Sequence, residues 1–235
     1  MTTTAAPDTS QISQPPAPSR SGPSLVVPAI FTIVTLVASL IVGVAVAGSL
    51  YANPFSDGAD LQKYFVDHST MVRFVALLQF ASAIGLAVLT ATAWAKLRQL
   101  VPTIIPPVAI AVVGGIISST FLALNSMVQW TLTQPEVNSD VTLVRALNFL
   151  FFGLGGPAHV AALGVLVFGL ATAGKGLRIV PSWFAIVGLV ITAVTALSML
   201  TVVTKAGTPF IPIGRFTSLI WLLVLGFLVP RGRRA

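Results

Sequence analysis

From residue 24 to residue 229 the sequence is six long apolar runs, at about 24–51, 71–95, 103–127, 142–171, 181–204 and 210–229, joined by short polar stretches. Each run has the ~20 residues a helix needs to cross ~30 Å of hydrocarbon. In hydrocarbon a backbone N–H or C=O finds no water, so open strands are excluded. The runs also lack the apolar–polar alternation of a membrane barrel. The chain therefore reads as all-α, with one domain, 24–230, made of six transmembrane helices. Composition agrees: 8% of the residues are charged, against about 25% in a soluble domain. So few charges cannot coat a water-soluble fold of 235 residues.

Residues 1–23 are rich in Thr, Ser, Pro and Gln and have little apolar surface to bury, so a disordered tail is expected. The first run is longer than the about 7–15 residues of a signal-peptide core, and only Arg20 is basic before it, so it reads as an anchor. The formal charge of +7 is scattered between the runs and not gathered on one face. It reads as a topology signal and not as a nucleic-acid surface. Lys96, Arg98, Lys175 and Arg178 fall on one side, with the basic C-terminus 231–235. Asp57, Asp60, Asp67, Glu136 and Asp140 fall on the other. The positive-inside bias then places both termini in the cytoplasm of a cell membrane. Trp94 and Trp183 fall at inner boundaries, and Tyr51 and Trp130 at outer ones. In the outer loop 52–70, residues 58–68 form either an irregular loop or a short interfacial helix with Leu61, Tyr64 and Phe65 on one face.

Several chemistries are disfavoured. There are no cysteines, hence no disulfide or thiolate site. No run contains an acid, which argues against a carboxylate-based proton or sodium relay. His68 and His159 lie at different depths, so neither paired haem ligation nor a metal site is expected, and no cofactor. Nothing resembles GxSxG or HExxH.

Polar candidates remain. Gln79, Asn125 and Asn148 fall in the outer thirds of their runs. Arg73, Arg145 and Arg215 each start an even-numbered run, 72 and then 70 residues apart. Three repeated hairpins would give that spacing, but the simpler reading is three arginines snorkelling with their heads in water. The fourth run carries GLGGPAH at 153–159. At 100° per residue, Arg145, Asn148, Phe152, Gly156 and His159 form one stripe, interrupted by Pro157. In one reading, Gly153, Gly155 and Gly156 admit a neighbouring helix and His159 makes one interhelical hydrogen bond. In the other, the helix breaks near mid-membrane and lines a ligand site built from His159, Asn148, Arg145, Gln79, Asn125 and Arg73. Small-residue faces at Gly43/Ala47, Ala81/Gly85 and Gly114/Gly115 with Ser118/Ser119 suit a compact bundle or a homo-oligomer.

The stretch from LNFLFFGLGGPAH through the Pro-x-Trp start of the fifth run (Pro181, Trp183) to LIWLLVLGF and its closing arginines resembles the bacterial six-helix membrane family called domain of unknown function 4386. MVRFVALLQFASAIGLA after the outer loop is similar too. The resemblance implies a six-helix integral membrane protein and no assigned activity. Three functions follow in order: a non-enzymatic envelope-complex or regulatory component, a permease-like binding protein with an outward-facing polar pocket, and an intramembrane enzyme. The expected partners are the lipid bilayer, a membrane protein or a second copy.

Overall fold

The computed structural model describes residues 24–48, 54–100 and 105–229. The expected tail 1–23, Tyr51 and the C-terminal 231–235 lie outside the described residues. Among those described there are helices and no strands, and six helical spans are long and apolar enough to cross a membrane. The protein is thus a multi-pass membrane protein in contact with lipid.

The helices are α1 (Val26–Ala47), α2 (Gly58–Asp67), α3 (Ser69–Leu100), α4 (Pro106–Thr131), α5 (Pro135–Asn138), α6 (Val141–Gly153), α7 (His159–Gly176), α8 (Ser182–Leu197) and α9 (Phe210–Leu228). A π-helical turn, Leu154–Ala158, joins α6 to α7, so these form one broken span. Two 3-10 turns, Ser198–Val202 and Lys205–Gly207, connect α8 to α9. Against the sequence reading, α3 begins two residues earlier and runs longer, and α7 continues to Gly176. Apolar content marks where lipid begins and not where backbone hydrogen bonding stops.

The α6–α7 span is the most buried of the six. Its α7 half packs between α4 and α8 and also touches α9, while α3 packs on α4, and α1 packs on α3 and α9. Lipid is as apolar as leucine, so close contact and not hydrophobicity must hold these helices together. Glycine supplies the closeness. A Cβ on Gly114 would stand 2.7 Å from the Val165 carbonyl carbon, and one on Gly169 would stand 2.7 Å from the Ala111 Cα. On α3, a Gly85 Cβ would meet Phe31 of α1 at 2.8 Å. Polar threads cross as well: Ser82 donates to the Thr32 carbonyl at 2.9 Å, and Trp221 Nε1 donates to the Phe184 carbonyl at 3.0 Å.

One end of the bundle is capped. Residues 58–67 form the helix α2, whose Leu61 and Phe65 are buried. Asp57 caps α2, and Asp140 caps α6 by accepting from the Thr142 and Leu143 amides. Two of the five described acids therefore serve as helix caps, where the dipole favours negative charge. Gln62 donates to the Asn138 and Ser139 carbonyls, each at 2.9 Å, tying α2 to α5. Lys205 sits over the Phe55 ring at 4.3 Å, and Phe55 meets Phe149 and Phe152 edge to face. At the other end α7 closes on a turn in which Arg178 takes a positive φ of 53°. Lys96, expected in a loop, belongs to α3 and is buried beside an apolar recess lined by Leu25, Leu170 and Val229.

Candidate functional site

Two polar side chains from other spans, Asn125 and Arg215, meet the π turn. Proline at 157 has no N–H to donate, so the α-helical ladder cannot continue through it. The backbone responds at Gly156, whose φ of −86° and ψ of −106° lie outside the helical region. The His159 N–H then donates to Leu154 and Gly156 instead of to Gly155, four residues back. The Gly155 carbonyl is left without its α-helical donor, at a buried position of the span.

Arg215 of α9 supplies it: its Nη2 donates to the Gly155 oxygen. The snorkelling expected for the three arginines is therefore corrected at this position, since Arg215 is only 8% exposed. The reason is the α8–α9 connection. It turns through short 3-10 segments beside the π turn and delivers α9 into the bundle below the cap. The packing of Gly214 fixes the register, because a Cβ there would meet Val160 of α7 at 3.0 Å. A permanently charged guanidinium thus faces the break in α6–α7, where the sequence reading had no deep charge.

The carboxamide of Asn125 in α4 addresses the same residue from the other side. A Cβ on Gly155 would stand 2.6 Å from its Cγ. Asn125 Nδ2 donates to Gln79 Oε1 of α3 at 2.8 Å, while Asn125 Oδ1 has no hydrogen-bond partner. Arg215 Nε and the hydroxyl of Ser218, one turn further along α9, are also buried without a partner. So are both carboxamide atoms of Asn148 and Oε1 of Gln129. Buried polar groups normally find partners, so this concentration sets the region apart.

His159 has a different task. Its Nδ1 lies 3.0 Å from both the Ser118 hydroxyl and the Ser118 carbonyl oxygen, and the Ser118 hydroxyl donates to the His159 carbonyl at 3.1 Å. A carbonyl only accepts, so Nδ1 carries the proton. The two residues form a reciprocal clasp between α4 and α7. Most other intramembrane hydroxyls, such as Thr90, Ser119 and Ser126, bond a carbonyl one turn back in their own helix.

Of the six residues singled out from sequence, Gln79, Asn125, Asn148 and His159 are buried, and Gln79 and Asn125 are joined. Arg73 and Arg145 are exposed. Arg73 instead donates to the Thr133 hydroxyl at 3.0 Å and to the Thr133 carbonyl, and stays at the capped end. The expected stripe holds at Asn148, Gly156 and His159, is half-buried at Phe152 and leaves the bundle at Arg145. Depth is also revised. At ~1.5 Å per residue, Gly155 lies about 30 Å along the span from Lys175. The break is therefore nearer the capped end than mid-membrane. Ser218 carried no signal in the sequence. Arg215 carried no such signal either: the missing N–H of Pro157 orphans the carbonyl of Gly153, four residues back, whereas Arg215 answers that of Gly155.

No protein-family model, curated protein or solved structure matches the chain.

Proposed function

We propose that the protein is a permease-like membrane protein that binds a small solute at the break in its fourth span. One observation carries the reading: α4 and α9 bring buried polar groups with unfilled hydrogen-bonding capacity (Asn125 Oδ1, Arg215 Nε and the Ser218 hydroxyl) to the non-helical backbone segment of a third span. Broken helices line the substrate sites of transporters, where unwound backbone and polar side chains replace the water a solute leaves behind. Gln79, Asn125, Asn148 and His159 are each at most 2% exposed, so the arrangement corresponds to an occluded state. We place the capped end outside and the end carrying Lys96, Arg98, Lys175 and Arg178 in the cytoplasm of a cell membrane, on the distribution of charge. Membership of the domain-of-unknown-function 4386 family is proposed on the sequence resemblance alone.

A non-enzymatic role in an envelope complex or in regulation is the second reading. It is favoured by the cap, in which Gln62, Phe55 and Lys205 knit three loops into one surface.

Because the chain has no cysteine, single-cysteine variants test the first reading directly. Asn148→Cys and Ser218→Cys are expected to react with a membrane-impermeant maleimide from the capped side, faster than Leu163→Cys, whose side chain is fully buried in the apolar core. Equal rates at all three positions would remove the permease-like reading and leave the second.

A further inference from the structure

We propose that the group around Arg215 is an oxyanion site, taking the carboxylate or phosphate of a small solute or of a lipid headgroup. The argument is one of charge and of unfilled donors. Arginine keeps its charge at any physiological pH, and Arg215 is nine-tenths buried in a membrane span. No described carboxylate pairs with it; Asp57, Asp60, Asp67, Glu136 and Asp140 belong to the cap. The Gly155 carbonyl supplies a dipole and not a countercharge. An intramembrane cation without an acid marks a place where an anion is bound or passes.

The donors have the matching arrangement. Arg215 spends one nitrogen on Gly155 and leaves Nε–H unused. The unused hydroxyl of Ser218 stands one turn along the same helix. Across Gly155 is the carboxamide of Asn125, with one atom unfilled. That atom is Oδ1, an acceptor, so the unfilled donors are those of α9. A guanidinium edge with a hydroxyl beside it is a set that carboxylate and phosphate oxygens fill. The Gly155 contact also holds the guanidinium plane, so it is oriented before the anion arrives. The His159–Ser118 clasp is closed on itself and takes no part.

The inference rests on the permease-like reading only if the anion is a solute, and the test separates the two. The full chain in neutral detergent, free of anionic lipid, is titrated with propionate, with inorganic phosphate and with the neutral amide propionamide, against chloride at equal ionic strength. Thermal unfolding is followed by tryptophan fluorescence. A parallel arm compares phosphatidylcholine discs with and without phosphatidylglycerol. The expected result is a saturable rise in unfolding temperature with an oxyanion. Its affinity falls about tenfold in Arg215→Lys, which keeps the charge but loses the planar fork, and severalfold in Ser218→Ala. Should Arg215→Lys not fold, Ser218→Ala carries the test, since it removes only an unpartnered hydroxyl. A rise with phosphatidylglycerol alone keeps the oxyanion site, assigns it to lipid and withdraws the permease-like reading. A response to a neutral amide with none to any oxyanion overturns the oxyanion site and keeps the permease-like reading. No response in any arm, or an oxyanion response unchanged in the variants, overturns the site.

Discussion

Gly153 and Gly155 stand two residues apart in one motif, yet replacing each by alanine has opposite expected effects. Around Gly153 nothing lies within 4 Å of an added Cβ, and the backbone is helical at φ −62° and ψ −46°. Gly153→Ala therefore relieves only the entropic penalty of glycine and stabilises by about 0.5–1 kcal/mol. A Cβ on Gly155 would stand 2.6 Å from Asn125 Cγ and 3.0 Å from Nδ2. Carbon contacts settle near 3.5–4.0 Å, so about 1 Å must be recovered. Asn125 can recede only by stretching its 2.8 Å bond to Gln79, worth about 0.6 kcal/mol on average inside a membrane. Overpacking of this kind adds about 1–3 kcal/mol. Gly155→Ala is thus expected to destabilise by about 2–3 kcal/mol. Reversible unfolding in mixed micelles of neutral detergent and dodecyl sulfate, followed by circular dichroism, resolves such a difference. Gly155→Ala within about 0.5 kcal/mol of wild type, the usual scatter of such comparisons, or Gly153→Ala as the more damaging change, would refute the geometry assigned to the π turn.

Gly114→Ala and Gly169→Ala each force α4 and α7 apart, at a cost of about 1–3 kcal/mol; one separation relieves both, so the double variant should cost at least about 0.5 kcal/mol less than the sum in the same assay. His159→Leu breaks the clasp with Ser118 and should destabilise by about 1 kcal/mol without changing oxyanion affinity; a large loss of affinity would return His159 to the site. Arg178→Gly removes a left-handed strain at φ 53° and is expected to stabilise by about 1 kcal/mol in thermal unfolding. On the cap, the 2.6 Å bond from Lys63 to Asp67 holds the Asp67 carboxyl below its usual pKa and raises the Lys63 ammonium above its own. The pair's contribution is therefore present between the two ordinary values. It fades as pH falls through the depressed Asp67 value or rises through the elevated Lys63 value. Carbon-13 NMR should show Asp67 titrating at higher pH in Lys63→Ala than in wild type.

Much of the fold was legible because its cause is local. Apolar length alone yields six spans, and the Asp140 side chain, placed before an apolar run, caps α6 whatever its neighbours do. Pro157 announces a break for the same reason: its missing N–H is a property of one residue. The amphipathic spacing of Leu61, Tyr64 and Phe65 left a helix and an irregular loop as alternatives, and the structure forms the helix and buries Leu61 and Phe65. The candidate site was legible in part. Gln79, Asn125, Asn148 and His159 are buried as their type in an apolar run requires, but Arg73 and Arg145 stay outside. Three arginines at matching positions in their runs have identical local signals. Only the α8–α9 connection, folded through 3-10 turns against the π turn, and the close approach at Gly214 turn the third one inward.

The sequence by itself determined that lipid is the solvent, how often the chain crosses it and where one crossing must falter. The tertiary structure alone decided which carbonyl that faltering leaves open and which side chain answers it. The physical reason is that lipid gives a helix no hydrophobic preference for one face over another. Facing is chosen by steric contacts between residues far apart in the chain, such as Gly114 with Val165, or Gly155 with Asn125 and Arg215.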